Sequence, residues 1–201
     1  MLKRRNQGGF TLVELMIGLI VGLIVLSAVL YAFISTLRSS RDVLNGTRVN
    51  LEMSTISSLI SSELRRSGYW PVSGAGDSPF STSNPDINVL DSGNCILYSY
   101  YNDSVSGAEA QIYRGFSRVD DEIRYGNATS ALNDCSVATG WGALSPSDLI
   151  SITAFNVSVA SLSIGSLTAR EVLFSITAKH ANDPNWSAQW SDTVNLPNDL
   201  E

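Results

Sequence analysis

Histidine is nearly absent: His180 is the only one in 201 residues. A cluster of imidazole metal ligands is therefore excluded, and any Ser–His–Asp arrangement has to use that one residue. Asp183 is close to it and serines are abundant, but no nucleophile-elbow context surrounds them. A lone histidine at a strand end reads as a surface or hydrogen-bonding residue. Cysteine is almost as scarce, with Cys95 and Cys135 alone. Two cysteines with no histidine nearby cannot complete a tetrahedral zinc set. Paired-cysteine, haem-attachment and phosphate-loop motifs are missing as well. A non-enzymatic protein without metal or cofactor is expected.

Positive charge is short too. The chain has 13 Lys and Arg against 19 Asp and Glu, a net charge of −6. The deficit is local: Gly68–Glu201 holds 5 basic and 15 acidic residues, a net −10, whereas Arg38–Ser67 holds 5 and 3. So acidic a region is a poor general binder of nucleic acid, and no nucleic-acid partner is expected. Asp120-Asp121-Glu122 carries oxygen ligands of the kind Ca²⁺ accepts, but without EF-hand spacing an exposed acidic turn is the simpler reading. Arg38, Arg41, Arg48, Arg65 and Arg66 either pair with acidic neighbours when rods bundle or line a solvated face.

The most informative absence is of any charge from Leu15 to Ile34. Twenty residues at ~1.5 Å rise make a helix of ~30 Å, enough to cross a bilayer. Between Arg5 and Arg38 only Glu14 is charged, at the edge of that apolar rod. A carboxylate there costs a few kcal/mol unless it is paired, which makes it a functional candidate. Thr11-Leu12-Val13-Glu14 also fits a capping box, and a negative side chain at this end complements the helix dipole. Lys3, Arg4 and Arg5 ahead of the run keep that flank cytoplasmic and send the remainder across.

Gly9-Phe10-Thr11-Leu12-Val13-Glu14-Leu15, with the three basic residues before it, resembles the class III signal peptide of the type IV pilin superfamily. The resemblance implies that a prepilin peptidase of the inner membrane cuts between Gly9 and Phe10 and N-methylates Phe10. It further implies that Glu14 pairs with the N-terminal amine of a neighbouring subunit. The alternatives are an uncleaved anchor, or a conventional signal cut near Ser27–Ala32. Gly18 and Gly22, four apart, either let helices approach closely or weaken the helix locally.

Val49, Met53, Ile56, Ile60 and Leu64 recur at helical steps, with Ser54, Ser58, Ser61, Ser62 and Arg65 opposite. The spacing predicts one helix from about Thr11 to Ser67, with Gly46 a possible interruption. Gly68 stands at C′, with Pro71 just beyond. Residues 68–94, rich in Gly, Ser, Pro, Asn and Asp, read as a loop. Strands follow: around Ile96–Tyr100, and a hairpin of Ile112–Ser117 with Glu122–Tyr125 about Val119-Asp120-Asp121. Ile150–Val159 carries a phase slip that suggests a bulge near Ala154. Val172–Ala178 is the clearest strand, and Asp192–Leu196 a short last one.

The organisation expected is therefore a leader (1–9), a transmembrane assembly helix (10–37), its amphipathic continuation (38–67) and a periplasmic head (68–201). The fold class is α+β: a long N-terminal helix on a mostly antiparallel sheet. In an exported head, Cys95 and Cys135 pair by default; two separate buried thiols are the alternative. Trp70, Trp141, Trp186 and Trp190 read as core or loop anchors.

Within the superfamily, Glu14–Gly22, Glu63–Trp70 and Asp192–Asn198 resemble PilW-type minor pilins, with Pro197 where an arginine is usual. That resemblance implies a subunit which, with other minor pilins and the major pilin, primes type IV pilus assembly and sits at the tip. A J-type pseudopilin of type II secretion is the neighbouring alternative, and a tip adhesin or DNA-uptake receptor a more distant one. Localisation follows: inner membrane, single-pass, before assembly and the pilus after it.

Overall fold

A computed structural model describes residues 9–71, 77–81, 84–105, 107–145, 147–164 and 167–198; the basic residues Lys3, Arg4 and Arg5 lie outside it. The chain divides into two compact units, Met1–Asn45 and Gly46–Glu201. One helix, α1 (Leu12–Leu64), runs from the first into the second. No proline interrupts those 53 residues, and Thr11 and Glu14 bond each other's backbone N–H at 3.4 and 3.3 Å, closing a capping box at the start. Just past the helix, Gly68 takes φ +74, a conformation that costs a residue with a Cβ. Its N–H is received by the Ser99 carbonyl at 2.9 Å.

In the second unit, Val49, Met53, Ile56, Ile60 and Leu64 are at most 2 % exposed. Fully burying each such side chain stabilises by about 1.5–3 kcal/mol. Gly46 does not interrupt the helix. A Cβ there would meet the Trp186 ring at 2.6 Å, so the glycine lets an indole lie against the backbone. Ser61, expected on the solvated side, is buried and donates to Asp192 Oδ2 at 2.8 Å. It stands one position, about 100° of turn, beyond Ile60, at the margin of the apolar stripe rather than opposite it.

The head contains two antiparallel sheets. The first is a five-stranded meander of β1 (Ile87–Leu90), β2 (Cys95–Tyr101), β3 (Gln111–Val119), β4 (Glu122–Asn127) and β5 (Gly142–Ala143), in that order. The second orders β6 (Ile150–Ile164), β7 (Leu167–His180) and β8 (Asp183–Leu196). The β3–β4 hairpin turns on Asp120-Asp121, with Val119 opposite Glu122 and Asp120 at φ 54. In β6 the register shifts between Ile152 and Ala154, which puts Ile152 on one side of the slip and Phe155 on the other, both buried.

Three strands depart from the expectation, β5 being a two-residue pairing with no counterpart in it. β1 lies inside the stretch read as loop: four residues between Asp86 and Asp91 are too short for alternation to rise above the polar surroundings. β8 begins nine residues earlier than expected, at Asp183. Trp186, Ala188 and Trp190 do alternate toward the core, but the polar Ser187 and Gln189 between them hide the period. The main core joins the α1 stripe to both sheets, including Phe116, Ile123, Phe155, Phe174 and Val194. A smaller cluster gathers Cys95, Leu97, Leu132, Cys135 and Trp141 on the other side.

Candidate assembly site

The residues singled out at the N-terminus sit on the first turns of α1 and the segment before it. Phe10 is 82 % exposed. Glu14 is exposed, and one oxygen, Oε2, receives both the Thr11 N–H and the Thr11 hydroxyl at 3.4 Å. These bonds are long and leave the carboxylate room for a stronger, charged partner. Gly18 and Gly22 lie on one face with nothing from the chain within 4 Å of an added Cβ. Leu12 through Ile34 expose their apolar side chains throughout. Helix α1 is long and apolar enough to cross a membrane.

In the head, Cys95 and Cys135 are joined by a disulfide with Cα atoms 6.6 Å apart. It ties the Ser136–Gly140 turn to β2, beneath Trp141, whose indole N–H donates to the Asn127 carbonyl at 2.9 Å. Asp91 is near both sulfurs, but a disulfide offers no thiolate to a metal. The acidic turn faces arginines: Asp121 meets Arg118 at 3.5 Å and Glu122 meets Arg124 at 3.1 Å. His180 is buried rather than on the surface, and its Nδ1 accepts the Asn182 N–H at 3.1 Å. The tryptophans are anchors; Trp70 stands edge-on to Tyr101 and Phe80, at 4.9 and 5.9 Å between centroids.

Two polar clusters that sequence reasoning missed hold the end of α1. Glu63 Oε2 accepts from Tyr98 at 2.8 Å and Tyr125 at 2.9 Å, while its other oxygen pairs with Arg66 at 3.1 Å. Arg66 in turn lies 4.0 Å over the Tyr100 ring. Burial, and then the negative groups around it, push the Tyr98 hydroxyl well above the ordinary tyrosine range, and burial chiefly raises Tyr125. In the second cluster Asp86, wholly buried, receives Arg170 at 2.6 and 3.2 Å and the Ser67 hydroxyl at 2.8 Å. Arg170 also donates to the Asn198 carbonyl at 2.7 Å, and the Asn198 amide donates to the Ser67 carbonyl at 2.9 Å. The signal available was slight: Arg170 is one of few cations in an acidic head, and Glu63 interrupts a serine-rich helix face.

Residues 42–196 match the family model of prepilin peptidase-dependent protein B. The chain belongs to that family. Residues 4–30, which include Gly9, Phe10, Glu14, Gly18 and Gly22, match the prokaryotic N-terminal methylation motif. With both matches, this prepilin peptidase-dependent protein B family member falls in the type IV pilin superfamily. No curated protein matches it significantly. Among solved structures it is similar to a type IV-like pilin from Thermus thermophilus, at 12% identity and a TM-score of 0.45, over 75% of this chain and 97% of that one.

Proposed function

We propose that this chain is a minor pilin of the PilW type, which helps prime type IV pilus assembly and stands at the tip. Prepilin peptidase cuts between Gly9 and Phe10 and methylates the new amine. The segment 10–37 then anchors the protein in the inner membrane, 38–67 continues the rod, and 68–201 is the periplasmic head. The observation that carries this reading is the sequence Gly9-Phe10 through Glu14, set directly before a helix whose apolar side chains from Leu12 to Ile34 stand exposed. Such a surface is stable only in lipid or among like helices.

Glu14 has a defined task in this scheme. In the monomer it closes the capping box; in the filament it neutralises the methylated Phe10 amine of the adjoining subunit. The head carries no enzymatic activity, and its net −10 disfavours DNA as a ligand. Contacts with other minor pilins and the major pilin follow from the shared rod. N-terminal sequencing of the protein from sheared pili tests the scheme: a start at N-methyl-Phe10 is expected, and any other start overturns it.

A further inference from the structure

The two sheets present four edges, and they are closed very unequally. β1 has four residues and β5 two, too short to template another strand. The edge of β6 is tied to the β3–β4 hairpin: the Ile152 N–H goes to the Asp121 carbonyl at 2.8 Å, and the Ile152 carbonyl receives Arg118 at 2.9 Å. β8 is different. Like β6 it pairs only with β7 among the described residues, but across its fourteen residues no bond such as that of Ile152 ties its outer edge to a third strand there.

The Thr193 N–H bonds the Asp192 carboxylate at 2.8 Å, so it points away from β7. Alternation along an antiparallel strand gives Ser187, Gln189, Ser191 and Asn195 the same outward N–H and C=O groups. Beside this edge runs a groove of about 490 Å³, floored by β8 and walled by the serine row of α1, including Ser54, Ser58 and Ser62. Arg65 closes one end of it, without an acidic partner among the described residues.

The geometry points to this groove as the seat of an extended segment from a neighbouring pilin subunit, added as a fourth strand to β8. A row of backbone donors and acceptors matches an extended polypeptide. Small hydroxyl-bearing side chains leave room for it and accept either polar partner. Arg65 selects a carboxylate on the incoming strand where that strand passes the end of α1. Asp192 acts as the plug: its carboxylate caps one edge N–H in the free subunit and, on docking, gives up Thr193 while keeping Ser61. The partner's identity as a pilin rests on the assembly role proposed above.

Ser191→Pro removes one outward N–H and leaves the β7 ladder whole, whereas Ser191→Ala keeps it. In the full-length protein expressed in cells, Ser191→Pro is expected to lower pilus yield in sheared fractions roughly fivefold or more, given about 1 kcal/mol per hydrogen bond, with Ser191→Ala unchanged. If Ser191→Pro does not accumulate, Gln189→Lys, which keeps every backbone group and guards the edge with charge, carries the test with the same expectation. A photocrosslinker at Ser191 is expected to capture another pilin-like chain. Normal pili with accumulated Ser191→Pro or Gln189→Lys overturn the assignment, as does capture of a second copy of this chain or of no pilin. Should Glu14→Ala still block assembly in that case, only the strand-edge assignment falls. Should Glu14→Ala also have no effect, the assembly role itself falls.

Discussion

The two parts of α1 are made of the same element and solve opposite problems. From Leu12 to Ile34 the helix is uncharged beyond Glu14 and exposes its apolar side chains on every side. From Gly46 to Leu64 it is apolar along one stripe, and that stripe is almost wholly buried. The first part is finished only by an external solvent of lipid or helices; the second is finished by its own head. Under the assembly role proposed above, a change of side chain registers in assembly when it falls in the first part, and in stability when it falls in the second.

The largest effect is expected at Glu14. Glu14→Ala leaves the protein membrane-bound and its head as stable as before. Its recovery in sheared pili falls roughly tenfold or more, as expected for a lost charged hydrogen bond of about 1.5–3 kcal/mol. Arg170→Met should do the reverse. It strands the buried Asp86 charge, costs about 3–5 kcal/mol in chemical unfolding of the detergent-solubilised protein, and the double variant Asp86→Leu/Arg170→Met recovers much of that loss. Reduction of the Cys95–Cys135 bond, which spans 40 residues, should lower stability by about 2–4 kcal/mol in the same assay.

A glycine pair sharpens the contrast. Gly46→Ala forces a methyl into the Trp186 ring and should cost about 1–3 kcal/mol. Gly18→Ala, with open space around it, should leave the unfolding midpoint unmoved.

The smallest effect concerns alkaline pH. Tyr98 and Tyr125 are held neutral in the folded head, so their folded pKa values lie above the unfolded value of 10.0. Their contribution is complete below pH 10 and declines above it, because the unfolded chain ionises first. Stability followed from pH 8 to 12 should therefore begin to fall near 10, and more gently in Tyr98→Phe.

Periodic features were legible in the sequence. The helical stripe of Val49 to Leu64, the Val172–Ala178 strand and the β6 phase slip each follow from a repeat of 3.6 or 2 residues, which a single chain displays directly, and the Gly68 stop follows from a local glycine–proline signal. What escaped has no period. Asp86, Arg170 and Asn198 are far apart in the chain and meet only when both sheets close on the end of α1, so no local pattern marks them. β1 is too brief for a period to emerge, and β8 carries polar residues on its outer face that mask the inward tryptophans. Within the candidate assembly site, the N-terminal signature and the Thr11–Glu14 capping box were plain because both are contiguous; coordinates added that the Glu14 carboxylate stays exposed and that its capping bonds are long.

Asn198 fastens the end of α1, and Trp186, Trp190, Val194 and Leu196 close the core around its stripe. Residues synthesised early thus wait for residues synthesised more than a hundred positions later. If the chain is exported N-terminus first, as the proposed function requires, the rod enters the bilayer while the stripe of its second half is still uncovered, and it stays so until residues 183–198 have emerged. A chain that ends before residue 183 leaves the Val49–Leu64 stripe without Trp186, Trp190, Val194 and Leu196 to cover it.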